Sequence, residues 1–191
     1  MRDKFKPSVC GIGFIGEGSH MSSINRKLSR VYVTWSNMIR RCYSASHQKD
    51  KPSYIGCVVC PEWHNFQVFA DWFFLNYTDG LHLDKDILKQ GNRVYSPDTC
   101  VFVSYQVNSL FINRKRGRGK CRLGVSWSSG MKKFVSNCRD NGELKHLGYY
   151  TSEVEAHEAY KKYKYKLITG ASVAQADPIK AAMINYVIPE Y

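Results

Sequence analysis

His82-Leu83-Asp84-Lys85-Asp86-Ile87-Leu88, followed by a polar run to Thr99, then Cys100-Val101-Phe102-Val103-Ser104 and, four residues on, Asn108, decides how this chain is read. Residues 82–88 read as a strand. Residues 89–99 read as a loop, because Gly91, Asn92, Ser96, Pro97 and Asp98 are turn formers. Residues 100–104, β-branched and aromatic, read as a second strand, and a helical turn carrying Asn108 follows. A hairpin of this size buries little. It serves better as a scaffold that aims polar groups at one point. A carboxylate at the end of one strand and an amide oxygen on the next helix are hard ligands, suited to Mg²⁺ or Mn²⁺. His82, Asp84 and Asp86 alternate onto one strand face.

The segment resembles the ββα-metal core of HNH endonucleases, in the form found in bacteriophage proteins. Asp84-Lys85, Asn92 and Asn108 stand at the three places of that motif. The resemblance implies that Asp84 and Asn108 hold the metal, that Asn92 braces the loop, and that a general base stands at position 85. This chain has Lys85 where the family has histidine. A neighbouring cation depresses a lysine pKa and neighbouring carboxylates raise it, so His82 is the alternative base. Asp86 is then a second ligand or orients that base.

The flanking sequence extends the resemblance. Residues 32–43 read as a helix with Trp35, Met38, Ile39 and Cys42 on its apolar stripe. Tyr54 to Cys60 reads as a strand. Pro61 then opens a helix running to about Asn76, whose inner face is Phe66, Phe69, Ala70 and Phe73. Trp35, Met38, Arg41-Cys42-Tyr43, Val59-Cys60 and Glu62-Trp63 match the usual lead-in to the phage motif. Residues 1–31 are glycine-rich and read as an irregular arm, in which Arg26, Lys27 and Arg30 either are solvated or touch a phosphate backbone.

The 191 residues carry 28 Lys and Arg against 16 Asp and Glu, a net charge of +12. The pI is about 9.4, which points to a polyanionic partner, and nucleic acid is preferred to a membrane surface because the cations do not form an amphipathic helix. No apolar run is long enough to span a bilayer, and Met1 to Lys6 has no apolar signal core. Seven cysteines, an odd number, fit a reducing cytoplasm. Cys57 and Cys60 have metal-ligand spacing, and Cys42 and Cys100 would complete a structural zinc site. A lone CxxC beside Val58-Val59 fits buried thiols better.

Residues 113–122 form a basic boundary: Arg114, Lys115, Arg116, Arg118, Lys120 and Arg122 alternate with glycines. They repel one another unless an anion is near, so a phosphate-neutralising tether is expected. Beyond it the pattern is three short strands and a helix: 123–128, 133–139, an Asn141-Gly142 turn, 143–150, then a Ser152–Glu155 capping box opening a helix to about Ile168. Its expected inner stripe is Ala156, Ala159, Tyr160, Tyr163 and Leu167. Gly124-Val125, Lys133-Phe134, Leu147-Gly148-Tyr149 and the Glu155-Ala156 to Ala159-Tyr160 helix resemble the AP2/ERF DNA-binding domain. That resemblance implies a groove-facing sheet surface of Ser126, Ser128, Lys133, Asn137, Arg139 and His146. Asp177-Pro178 starts a last helix.

The expectation is therefore an α+β chain of four parts: an HNH-like ββα core with supporting helices (1–112), a basic linker (113–122), a three-stranded antiparallel sheet plus helix of AP2 type (123–170), and a C-terminal helix (171–191). The resemblance implies a phage-encoded protein in the bacterial cytoplasm that cleaves double-stranded DNA with Mg²⁺ or Mn²⁺. One such site nicks one strand, so a homodimer or a second event is needed to cut both. Two other readings stand beside it: a catalytically inactive DNA-binding regulator or inhibitor of a host system, and an RNA-directed protein.

Overall fold

The computed structural model of the chain describes residues 3–112 and 119–191 and is mixed α+β. It falls into two units, Met1–Val103 and Ser104–Tyr191. No helix among the described residues is long and apolar enough to cross a membrane. Arg114, Lys115, Arg116 and Arg118 lie outside the described residues.

In the first unit a short hairpin, β1 (Ser23–Ile24) and β2 (Lys27–Leu28), precedes α1 (Arg30–Tyr43) and α2 (Ala45–Asp50). Ser29 caps α1 by accepting the Tyr32 N–H, which satisfies one of the donors a helix start leaves open. The polar stretch after α1 is helical over Ala45–Asp50, because Ser44 repeats the device with the His47 N–H. The strand expected over 54–60 shrinks to β3 (Val58–Val59), since Pro52–Tyr54 makes a 3-10 turn. Pro61 does not open the next α-helix. It opens a 3-10 turn over Pro61–His64, and Asn65 then caps α3 (Phe66–Asn76) through the Gln67 N–H.

The core of this unit is aromatic. Trp35, Trp63, Phe66 and Phe69 are fully buried, and the Trp35 indole N–H donates to the Trp63 carbonyl at 2.7 Å, the partner a buried indole needs. The first residues are not a loose arm. The Phe14 N–H donates to the His64 carbonyl and the Phe14 carbonyl accepts the Phe66 N–H, and Gly16 (φ +74°) lies where a Cβ would stand 2.0 Å from the Asn65 amide oxygen.

β4 (His82–Asp84) and β6 (Val101–Val103) pair antiparallel, His82 opposite Val103 and Asp84 opposite Val101. Both are shorter than 82–88 and 100–104. The polar run between them is no plain loop: it carries β5 (Val94–Tyr95), which pairs in parallel with β3.

In the second unit, α4 (Tyr105–Leu110) is capped by Ser104. A sheet in the order β7–β8–β9 follows: β7 (Val125–Ser128), β8 (Lys133–Asp140) and β9 (Glu143–Tyr150), all antiparallel. Asn141 and Gly142 both take positive φ in the turn between β8 and β9, the conformation such two-residue hairpins require. α5 (Glu153–Ser172) covers one sheet face and runs one turn beyond Ile168. Ser152 caps it through the Val154 N–H, while the Glu155 carboxylate accepts from the Thr151 hydroxyl. The buried line is Ala156, Tyr160, Lys164, Ile168 and Ser172, with His157 beside it. This replaces the expected stripe, of which Ala159, Tyr163 and Leu167 are only half-buried. α6 (Ile179–Ile184) ends the helices, and the tail returns to the start of the unit, where the Leu123 N–H donates to the Glu190 carbonyl.

Candidate functional site

Asp84 ends β4 for a local reason. Its Oδ1 accepts the N–H groups of Asp86 and Ile87, each at 2.7 Å, and this turn breaks the ladder and buries Ile87. Strand alternation therefore stops at Asp84, and Asp86 does not continue the His82–Asp84 face. Leu83 and Phe102 point to the core side of the hairpin, so His82 and Asp84 share the opposite side. His82 is exposed and Asp84 half-buried. Burial pushes the Asp84 carboxyl pKa up; the two backbone donors pull it back, the Asp86 charge adds to the rise and Lys85 opposes it.

Lys85 points inward and is 7% exposed. Its ammonium donates to the Asn92 carbonyl at 2.7 Å and to Asp86 Oδ1 at 2.6 Å, and it sits 5.8 Å from the centre of the Tyr95 ring. Asn92 answers across the same loop. Its Nδ2 donates to the carbonyls of Lys85 (2.8 Å) and Val94 (2.6 Å), and its Oδ1 accepts the Val94 N–H. Lys85 and Asn92 thus stitch the two sides of the 85–94 loop, with two of the three ammonium donors of Lys85 engaged in it. Sequence reading places a cation at position 85 but carries no sign of that burial.

Asn108 lies on α4, in the second unit, and its N–H donates to Ser104 within the helix. Asp86 has its carboxylate engaged by Lys85 and its side chain 49% exposed.

Asp84 fits one part of what Mg²⁺ or Mn²⁺ requires. It offers a hard carboxylate oxygen in a setting where burial penalises the bare carboxylate. Such ions keep several waters and take few protein ligands. A zinc site is a different matter. Cys42, Cys57 and Cys100 are buried and Cys60 half-buried, and desolvation pushes Cys42 and Cys100 up to about 12 and Cys60 to about 11. Among the described residues no three His, Cys, Asp or Glu side chains gather as a metal-binding group. Cys42, Cys57 and Cys100 belong to the same buried cluster as Trp35 and Phe102, and Cys60 packs against it.

The sheet of the second unit has one face under α5, where Ser136 and Cys138 are buried. Its register brings Ser126 opposite Val135, Ser128 opposite Lys133, Asn137 opposite His146 and Arg139 opposite Leu144. All of these project from the other face, together with Tyr149. A bulge at Leu147 of β9, opposite the Ser136–Asn137 step, resets the alternation of β9 and brings His146 and Leu144 to the same face as Tyr149, opposite Asn137 and Arg139. His146 Nδ1 lies 3.3 Å from Asn137 Oδ1, and Arg139 donates to the Gly142 carbonyl. Lys120 is exposed. Arg122 is not a free cation: it pairs with Glu190 at 2.8 Å and lies over the Tyr191 ring.

The sequence assigns no role to His64, on a partly polar face, and none to His20. His64 Nε2 is 3.1 Å from the Val59 carbonyl and 3.5 Å from the Tyr43 hydroxyl. His20 meets Asp71 at 2.7 Å and is clasped through its backbone by Gln67. Both are structural ties that nothing in residue spacing announces. Comparison with known proteins adds no relative: no family model, no curated protein and no solved structure matches this chain.

Proposed function

We propose that the chain is a metal-dependent DNA endonuclease of HNH type, targeted to duplex DNA by an AP2-like module. The observation that carries this reading is the Asp84 carboxylate. It is held half-buried at the end of β4 by two backbone donors to Oδ1, in a chain of net charge +12. A bound Mg²⁺ or Mn²⁺ would stabilise the charge that grows on the leaving oxygen as the phosphodiester breaks. Asp84 supplies a ligand. Asn108 is assigned as the second ligand on the sequence resemblance. His82, exposed and on the same strand face as Asp84, takes the proton from the attacking water. Asn92 and Lys85 keep the loop in shape. Lys120 and the basic residues before it neutralise the backbone, and the outer sheet face of Ser126, Ser128, Lys133, Asn137, Arg139 and His146 reads the groove, Arg139 suited to guanine and Asn137 to adenine.

A specific observation favours a second reading, in which the chain binds DNA without cutting it and acts as a regulator or inhibitor of a host system. The base position holds a lysine whose ammonium is committed to Asn92 and Asp86. One experiment separates the two. Supercoiled plasmid is incubated with the protein and Mg²⁺, Mn²⁺ or EDTA, beside Asp84→Ala and Asn108→Ala. The endonuclease reading expects nicking that needs metal and drops at least a hundredfold in both variants. Tight duplex binding with no nicking in either metal supports the second reading, and unimpaired nicking by both variants removes the site.

A further inference from the structure

From Gly18 to Lys49 the chain has six cations (Arg26, Lys27, Arg30, Arg40, Arg41 and Lys49) and no Asp or Glu. The hairpin of β1 and β2 stands inside this stretch. Every residue from Ser23 to Leu28 is exposed, on both faces of the ribbon, so neither face of the hairpin is buried against the described residues. Two-residue strands do not hold themselves up in water. This pair is held from its two roots instead. On one side the His20 backbone is clasped by Gln67 and its ring by Asp71. On the other, Ser29 donates its N–H to the Ser22 carbonyl and caps α1. The result is an ordered finger. Asp71, the carboxylate at its root, is already hydrogen-bonded to His20.

The tip is built against conformational preference. Asn25 and Arg26 both take positive φ, 50° and 62°, the turn for which Asn-Gly is the favoured pair. The same chain uses Asn141-Gly142, at 48° and 89°, for its other such turn. An arginine in the left-handed region gains nothing for the fold. It does place a guanidinium at the outermost point of the finger, next to Lys27. Strain kept at an exposed tip is the pattern of a functional contact.

We infer that the β1–β2 finger is a nucleic-acid probe that enters a groove of duplex DNA, with Arg26 leading and Lys27 and Arg30 on the flanking phosphates. The charge of the segment selects a polyanion. The dimensions select a groove: a two-stranded ribbon fits the major groove, and two residues per strand at about 3.3 Å each plus the turn approach its depth of roughly 8.5 Å. Ile24, Leu28 and Met21, more than half exposed, supply apolar contact to sugars and thymine methyls. This rests on the DNA-directed reading given above, and it does not need the chain to cut.

The test uses the full chain in EDTA with a short fluorescent duplex, titrated by anisotropy at several salt concentrations. The variants are Arg26→Gly and the double change Arg26→Gly with Lys27→Gln. Arg26→Gly is expected to melt no lower than the parent chain, because glycine suits the turn, yet to bind the duplex about fivefold more weakly. The slope of log K against log salt should fall by about 1, and by about 2 in the double variant. Parent-like affinity and slope would overturn the inference. So would a lower melting temperature for Arg26→Gly, which would make the arginine a folding residue, and so would preferential competition by single-stranded RNA. If the parent chain nicks no plasmid while the finger variants still lose duplex affinity, the endonuclease reading falls and the finger stands. If nicking occurs and the variants bind normally, the reverse holds.

Discussion

Replacing Lys85 with methionine keeps the length of an unbranched stem and removes the ammonium, so it asks what that charge is for. The Asn92 carbonyl loses the donor that reaches it at 2.7 Å in a buried loop. Leaving such an acceptor unpaired costs about 1–3 kcal/mol. The contact with Asp86 is worth less, because that carboxylate is 49% exposed and water screens it, and about 0–1 kcal/mol is appropriate. Relief of the desolvated ammonium works in the other direction. The net expectation is a loss of about 2 kcal/mol, which for a unit of this size lowers the melting temperature by roughly 10 °C. Urea unfolding followed by tryptophan fluorescence reads it selectively, since Trp35 and Trp63 are fully buried in the first unit whereas Trp127 in the second is half-exposed. Plasmid nicking below the transition then separates brace from base. A brace leaves the folded fraction within about threefold of the parent rate, whereas removing a general base costs about 10²–10⁴. A Lys85→Met chain as stable as the parent would refute the brace. Nicking lost at unchanged stability would return the lysine to the chemistry.

Gly124→Ala should unfold the second unit more readily than any surface change. At φ +79° the new Cβ would lie 2.1 Å from the Tyr160 ring, so strain and overlap add to about 3 kcal/mol or more, read as a fall in the calorimetric transition of that unit. Alkali should weaken the first unit through its thiols. Cys42 and Cys100, pushed up to about 12, and Cys60, at about 11, hold their protons more tightly folded than unfolded. Their contribution is whole below the unfolded thiol pKa of about 8.5 and is lost as pH climbs towards 11–12. Urea midpoints that fall between pH 8 and pH 10 are expected, and a flat profile would contradict the assignment. In the native chain at neutral pH a thiol reagent should reach exposed Cys10 first and leave Cys42, Cys57 and Cys100 for denaturant to reveal.

Local signals carried much of the fold. Asn141-Gly142 marks its turn, Ser152 marks the start of α5, and β9 occupies 143–150 as its alternation indicates. On β7 and β8 the outward set follows from period two alone, whereas on β9 the bulge at Leu147 shifts the alternation between Tyr149 and His146. What was not legible is decided by partners distant in the chain. The two-residue parallel pair of β3 and β5 joins segments some 36 positions apart, and no propensity encodes it. Pro61 reads as a helix start, yet Asn65 wins because its side chain can cap the N–H of Gln67. On α5 the inner line includes Lys164 and His157, which a count of apolar residues passes over, since a lysine can bury its stem and a histidine its ring. At the candidate site the types were legible and the directions were not. Asp84 turns the chain where the strand pattern would continue, and Lys85 follows the turn inward.

The line Ala156, Tyr160, Lys164, Ile168, Ser172 repeats every fourth residue, while the helix turns every 3.6. Over those sixteen steps the covered side rotates by about 160° around the axis. The early turns of α5 therefore belong to the sheet, where His157 meets the Leu123 carbonyl and Tyr163 meets Asp140. The later ones address another side, where the Tyr165 hydroxyl takes the Ile188 N–H; α4 and α6 pack against the same helix. The helix works as an axle fixed at both ends. One helix therefore ties the sheet, α4 and the C-terminal tail together within the second unit.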